Sequence, residues 1–363
     1  MAPQKAPKFL FIPVSSAEGI GEYMRSMIIA DEVKRTWPNA EIKFILSQQA
    51  PYATQCPYPA ELLEDTPTKQ VKAVNQIMSD FLPDIVLFDA SGRKSQLVHA
   101  HKLGAKVIFL SQHKRKRSRG MKIGRALVTD CHWVVQPEFV IGPISWLDRL
   151  KLKLINRPEP LNIGPVFTQP DTITQSALLA QYQLTQNEFV LFNAGSGGHR
   201  VNGELAADIF AKAAHDCFIE FGITSVMVFG PNYPKSLPNL TGIILISQLD
   251  NQKFINLLAA SKAVVLGGGD TLLQAIALHK AILAVPISKD QSSRIAACIL
   301  KKLVMACAAE SRVIQDAVKA LIKKVENNDG YELQCKSSDL NGLNVAIREI
   351  DNVYDRLGDK SCE

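Results

Sequence analysis

The chain reads as an α/β protein of two doubly wound, Rossmann-like domains facing a central cleft. Three observations lead there. Short runs rich in Ile, Val, Phe and Leu alternate with segments of helical apolar spacing, which predicts parallel sheets with helices on both faces. The alternation starts again after a proline- and glycine-punctuated stretch near the middle. The glycine-rich and polar turns fall where the apolar runs end, the edge at which open α/β sheets bind ligands. A length of 363 residues suits about two such domains, each with its own core.

In the first half, the runs 8–15, 41–46, 84–89, 105–110 and 132–136 are the expected strands, short and rich in β-branched and aromatic residues. Helical spacing falls between most of them, at 22–35, 70–81 and 94–103. The second half repeats the scheme, with strands expected at 189–193, 225–229, 242–246, 263–266 and 281–285. Helices are expected there at 203–221, 251–259, 271–278, 291–301 and 313–324. Between the halves, 157–166 carries Pro158, Pro160, Gly164 and Pro165 and reads as a linker. The expected division is 1–165 and 166–342, with 343–363 holding a last helical pattern that can cross back onto the first domain.

Composition excludes several classes. Hydrophobic residues at 47% and charged residues at 21% describe a globular chain, not a disordered one. No apolar run approaches the ~18 residues of a spanning helix, and the first residues lack a signal-peptide core, so a cytoplasmic location is expected. The seven cysteines are scattered without a C-x-x-C pair, which fits reduced thiols. There is no P-loop, no G-x-S-x-G and no D-x-D, and His99 and His101 would point to different faces of a helix. No metal site and no tightly held cofactor are expected.

The net charge of +6 is modest but concentrated in residues 113–119, followed by Lys122 and Arg125. Such a block is a solvated loop, or it meets an anionic acceptor or an anionic membrane surface. It lacks the interleaved aromatics that stack on bases, so nucleic acid is not an expected partner. Residues 144–155 mix an apolar stripe with lysines and Trp146; they form either a helix packed on its own domain or an interfacial helix.

The most informative turn is Gly267-Gly268-Gly269-Asp270-Thr271, between a buried strand and a helix. Its glycines let backbone approach a ligand, Asp270 or Thr271 can cap the helix, and the free N–H groups of the first turn attract an anion such as a diphosphate. A second polar turn places Asp290 and Gln291 beside the same strand edge, able to read a sugar's polar groups. Gly195, Ser196 and Gly198 follow the first strand of the second half and can offer N–H groups and a hydroxyl, with Arg200 supplying charge. In the first half, Gly19 and Gly21 precede Glu22 and Arg25, and Met24 replaces the third glycine of a dinucleotide fingerprint. Asp89 ends a strand of that half, where it can act as a base, orient a hydroxyl, or cap the following helix.

The 263–291 stretch resembles the donor half of two-domain GT-B glycosyltransferases, and 193–200 resembles the glycine-serine loop of the lipid-II-forming N-acetylglucosaminyltransferase group. The Gly21–Arg25 loop resembles both UDP-sugar hydrolases of the pseudaminic acid pathway, through its arginine, and Kdo transferases, through its carboxylate. The resemblance implies an acceptor-side first domain and a second domain that binds a nucleotide-sugar. Gln248 and Leu249 would then hold the nucleobase, and Gln274 would stand where these families place a ribose-binding glutamate. Glutamine binds a diol without charge assistance, which leaves the nucleotide open.

The implied activity is a metal-independent, inverting transfer of a sugar from a nucleoside diphosphate, a UDP-sugar foremost, to a hydroxyl acceptor. Glu22 is the implied general base, with Asp89 the alternative. The basic block suggests an anionic or lipid-linked acceptor in envelope glycan assembly, with peripheral membrane contact. A nucleotide-sugar hydrolase and a non-catalytic nucleotide-sugar-binding protein are the alternatives.

Overall fold

The computed structural model describes residues 6–15, 20–50, 52–327 and 341–358, with side chains of the last helix described to 354. The chain divides into two compact units, one formed by Met1–Val166 with Asn341–Glu363, the other by Phe167–Leu340.

The first unit contains β1 (Lys8–Pro13), α1 (Gly21–Thr36), β2 (Glu41–Ser47), β3 (Ala60–Leu63), α2 (Val71–Phe81), β4 (Ile85–Asp89) and α3 (Lys94–Lys102). It continues with β5 (Lys106–Ser111), α4 (Lys114–Gly120), α5 (Ile123–Ala126), β6 (Cys131–Val134), α6 (Glu138–Ile141), α7 (Trp146–Leu154) and β7 (Leu161–Asn162). Its strands pair in parallel in the order β3-β2-β1-β4-β5-β6-β7. The order reverses between β1 and β4, which makes the carboxyl ends of those two strands the switch point of the sheet. Strands such as β4 and β5 are buried along most of their length, which is why they read as unbroken apolar runs and not as alternation.

Part of the expected linker is structural: Leu161 and Asn162 form β7 and extend the first sheet beside β6. The C-terminal helix, Gly342–Gly358, belongs to this unit. The Gly342 N–H donates to the carbonyl of Pro165 at 2.8 Å, and Leu343, Ala346 and Ile350 join the core that holds Phe9, Phe11 and Ile163.

The second unit contains α8 (Thr172–Tyr182), β8 (Val190–Asn193), β9 (Arg200–Val201), β10 (Glu204–Leu205), α9 (Ala206–Phe221), β11 (Ser225–Val228), β12 (Ile244–Ile246) and α10 (Asn251–Ala260). There follow β13 (Ala263–Gly267), α11 (Asp270–Ala277), β14 (Ala281–Val285), α12 (Gln291–Leu300), β15 (Met305–Ala306) and α13 (Ser311–Glu326). The main sheet is parallel in the order β12-β11-β8-β13-β14-β15, and its switch point lies between β8 and β13. Each of the two units is therefore doubly wound, and the expected fold class is observed.

Three local expectations are corrected. The basic block is not a loop, because Lys114–Gly120 is helical and Gly120 passes so close to His132 that a Cβ would collide with the imidazole. The helix expected from 203 starts at Ala206, after an antiparallel hairpin of β9 and β10. Neither α8 nor the edge strand β3 was expected; β3 is four residues long and only Leu63 is buried in it, so its apolar signal is weak.

Candidate active site

In the second unit, the turns leaving β8, β13 and β14 gather at the carboxyl edge of neighbouring strands, with β8 and β13 flanking the switch point. The turn after β8 is pinned by Asn193, which is 5% exposed. Its Nδ2 donates to the carbonyl of Val228 at 2.9 Å, and its Oδ1 accepts from the N–H of Gly195 at 3.0 Å. The Ser196 carbonyl accepts from the N–H of Asn232 at 2.8 Å, so this turn lies against the turn after β11. A Cβ on Gly230 would stand 2.6 Å from the Gly195 carbonyl, which fixes glycine there, at a φ of +96°. Gly195 and Gly198 stay exposed and Ser196 half-buried.

The turn after β13 differs from its sequence reading. Gly267 and Gly268 are both closely surrounded by their own neighbours. A Cβ on Gly267 would meet Ile287 at 2.9 Å, and one on Gly268 would meet the Cβ of Gln291 at 2.7 Å and Ile295 at 3.0 Å. Gln291 is 7% exposed, and its Oε1 accepts from the N–H groups of Gly268 at 2.7 Å and Ile287 at 3.1 Å. It is a brace between two turns, not a free reader of a sugar, because its carbonyl lone pairs are already engaged.

Gly269 alone of the three faces open space, with nothing within 4 Å of a built Cβ. It is the N-cap of α11, so Asp270 and Thr271 do not cap the helix; they are its first two residues. Gly269 brings no side chain to cap α11, and the partial positive charge of a helix N-terminus lies beside it.

Sequence reading missed a guanidinium at this end. Arg294 of α12 donates from Nη1 to the Gly268 carbonyl at 2.8 Å, pairs with Asp270 at 3.4 Å, and is 14% exposed. It stands one helical turn beyond Gln291, and that i+3 spacing was its available signal. Asp290 is exposed and bonded by the Ser288 hydroxyl at 2.7 Å; that bond holds its carboxyl below its ordinary value, aided by Arg294 and His199.

Arg200 sits elsewhere from its expected role. Its Nη1 donates to the Gly203 carbonyl at 2.8 Å, tying the β9–β10 hairpin, and does not cradle the Gly195–Gly198 turn. Gln248 is exposed and Leu249 half-buried after β12. The half-buried Gln274 lies on α11, one turn past the cap.

In the first unit, α1 and the ends of β4 and β5 bring four polar side chains together at the switch point. Arg25 is 5% exposed and grips Asp89, 1% exposed, through Nε to Oδ2 at 2.8 Å and Nη2 to Oδ1 at 2.7 Å. Burial pushes the Asp89 carboxyl up from its ordinary value, while the Arg25 guanidinium opposes the shift. Asp89 is thus the buried partner of Arg25 and not a helix cap, since α3 is capped at Arg93.

Arg25 also donates from Nη1 to Oε1 of Gln112 at 3.2 Å, and Gln112 donates from Nε2 to Oε1 of Glu22 at 2.7 Å. Glu22 is half-buried on the first turn of α1, and Gly21 is exposed beside it; Gly19 lies outside the described residues. Lys116 completes the group. Its Nζ donates to the carbonyl of Ala90, a non-glycine residue at φ +54°, at 3.1 Å. Burial draws the Lys116 ammonium down from its ordinary value against the pull of Glu22 and Asp89. Among the described residues, no group of three or more His, Cys, Asp or Glu is placed to hold a metal ion.

Two parallel, doubly wound units give the chain a GT-B-like fold, the class of architecture shared by its structural neighbours. Residues 218–326, the segment carrying the Gly267–Thr271 turn, match the family model described as Glycosyl transferase family 1. Solved structures with the same fold include CalG4, the calicheamicin glycosyltransferase, at 14% identity and a TM-score of 0.57, covering 98% of this chain and 100% of that one. A ugt transferase from Siraitia grosvenorii in complex with UDP aligns at 13% identity and a TM-score of 0.57, over 96% and 99% of the two chains. The UDP-GlcNAc 2-epimerase from Neisseria meningitidis bound to UDP-GlcNAc aligns at 14% identity and a TM-score of 0.54, over 95% and 100%. No curated protein sequence matches the chain.

Proposed function

We propose that the protein is an inverting glycosyltransferase that moves a sugar from a nucleoside diphosphate donor to a hydroxyl acceptor without a metal ion. The observation that carries this reading is the N-terminus of α11, fronted by the open Gly269 and flanked by Arg294, in the segment that matches a glycosyltransferase family. A diphosphate leaving group gains negative charge as the glycosidic bond breaks. Helix N–H groups and a nearby guanidinium stabilise that charge without reorganising. Ser196, Gly198 and Thr271 supply further donors on the same sheet edge, Gln274 meets the ribose, and Gln248 and Leu249 meet the base.

In this reading Glu22 is the general base. The acceptor oxygen attacks the anomeric carbon, its proton passes to Glu22, and the nucleoside diphosphate leaves with the bonding pair. Gln112 holds one carboxylate oxygen of Glu22, and Arg25, anchored on Asp89, holds Gln112. Replacing Glu22 with Gln is expected to lower transfer by roughly 10²–10⁴-fold while leaving donor affinity intact. Transfer above about a tenth of the parent rate would remove Glu22 from that role.

The donor placement is tested at Gly269. Its φ of −76° suits any residue and its surroundings are open, so Gly269→Val leaves the fold intact while covering the helix end. Gly268→Val is unsuitable, because its side chain would strike Gln291 and Ile295. A donor at 100 times its dissociation constant adds about 2.7 kcal/mol of stability. A screen of nucleotide-sugars by thermal unfolding should show that gain in the parent and lose it in Gly269→Val. An unchanged gain would place the diphosphate elsewhere.

A second reading is favoured by the fold likeness to UDP-GlcNAc 2-epimerases. Incubation of the protein with donor alone, followed by proton NMR, separates the readings. A transferase leaves most donor intact until an acceptor is added, an epimerase inverts C2 without releasing UDP, and a hydrolase releases free sugar at full rate.

A further inference from the structure

The first unit carries an apolar stripe that the fold leaves uncovered. On α7, Trp146 is 70% exposed, Leu147 60%, Leu150 47% and Leu154 77%. At 3.6 residues per turn these four side chains fall within about 100° of the helix surface. Leu152, 2% exposed, is on the opposite side and packs with Met121 and Ala126, so the helix is seated by one face and presents the other. Lys151 and Lys153 flank the exposed stripe on its two sides. Next to α7, the short α5 adds Ile123, 48% exposed, and its C-cap Leu127, 41% exposed.

The basic helix α4 is fastened to the chain leading into α7. Arg117, 5% exposed, donates from Nη1 to the Gly142 carbonyl at 2.6 Å and from Nη2 to the Pro143 carbonyl at 3.0 Å. Lys114 Nζ lies 3.7 Å from where a Gly142 Cβ would stand, so its charge sits at the head of the α7 segment. Lys114, Arg115, Lys122 and Lys153 are exposed, and none of the four forms an ion pair among the described residues. Arg117 is a clamp and Lys151 is paired with Asp148, so neither belongs to this free set.

An apolar stripe of tryptophan and leucines, bordered by unpaired cations and held rigidly, is complementary to one kind of surface. We propose that α4, α5 and α7 dock the protein on an anionic lipid bilayer, with Trp146, Leu147, Leu150 and Leu154 entering the headgroup boundary and the four cations meeting lipid phosphates. The attachment is peripheral, since among the described residues no helix is long and apolar enough to cross a membrane. It goes beyond the transfer reaction and does not depend on it.

The test uses the full-length chain and vesicles of phosphatidylcholine, alone or with phosphatidylglycerol. Co-sedimentation is expected with the anionic vesicles, falling as salt rises because exposed charges are screened beyond about 8 Å at physiological ionic strength. Changing Lys114, Arg115, Lys122 and Lys153 to Ser should lower partition about fivefold per charge. Changing Trp146, Leu147, Leu150 and Leu154 to Ser should abolish it with the melting temperature unchanged, since all four are exposed. Of the three tryptophans, Trp133 is fully buried and Trp37 half-buried, so a blue shift and brominated-lipid quenching on binding report on Trp146. Equal binding by the apolar variant would overturn the proposal. So would a dimer in sedimentation equilibrium that this variant dissolves while no vesicle binding is seen, because a second copy would then be the occupant.

Discussion

Arg25 and Asp89 are buried together, and each charge depends on the other for its compensation. Arg25 and Asp89 were both visible as polar residues at a switch point, but nothing in a linear sequence says that residues 64 apart meet in a buried bidentate pair. Gln291 follows a strand, a position that predicts a side chain facing a sugar, whereas its carbonyl serves two backbone N–H groups. Sequence gives a residue's position along the edge; which partner it chooses is decided by side-chain packing. The Arg25–Asp89 pair yields a clear expectation. Removing one partner leaves the other charge buried and uncompensated, so Arg25→Met or Asp89→Ala should each cost about 3–5 kcal/mol in urea unfolding. The double replacement by Met and Leu should cost less than either, which an additive, merely local effect would not produce.

His132 gives a second residue-scale expectation. It is held under α4, 3.0 Å from the Ser111 hydroxyl and edge-on to Phe109, and burial with the nearby Arg117 charge lowers its pKa from 6.5 to about 3. The folded imidazole stays neutral while the unfolded one binds a proton below about pH 6.5, so stability is complete above that pH and falls as acid is added, down to about pH 3. The slope is about 1.4 kcal/mol per pH unit for one proton. Urea unfolding at pH 6.5 and pH 5 should differ by about 2 kcal/mol more in the parent than in His132→Phe. Parallel pH curves for the two proteins would show that the imidazole is hydrated in the fold.

Elements are more legible in the sequence than single partners, because period is a property of a stretch and survives local exceptions. The expected strand at 281–285 is β14 to the residue, and the helical spacing at 22–35 is α1 within one residue at each end. Where the reading failed, periodicity was short or overridden. The basic block was dense in charge and so resembled a solvated loop, yet buried Arg117 and Gly120, the latter tight against His132, wind it into α4. The chain turns at Asn202–Gly203 into a hairpin whose strands are two residues each, too brief for alternation to appear. Glycine was the most misleading signal. Gly267 and Gly268 make room for Ile287 and Gln291 inside the protein, and only Gly269 opens outward, so a count of glycines overstated the backbone available to a ligand.

At the scale of the molecule, doubly wound order is legible because the central strands of each sheet run nearly apolar throughout, which marks parallel sheets covered on both faces. What the sequence left undecided was the destination of its last helix. That helix places Leu343, Ala346, Ile350 and Val353 at 0–4% exposure, and the first three join the core of the first unit. The core around Val190, Phe192 and Val265 in the second unit includes none of them. Burying a Leu, Val or Ile side chain is worth about 1.5–3 kcal/mol, so deleting the chain from 341 onward should destabilise the first unit by on the order of 5 kcal/mol. The second unit keeps its whole core and every residue proposed to meet the donor. Calorimetry of the truncated chain should therefore show a weakened or missing transition alongside a second one that nucleotide still raises. If truncation abolishes nucleotide binding as completely as Gly269→Val does, the donor site is not self-sufficient in the second unit, and the placement of the diphosphate on α11 alone would have to be given up.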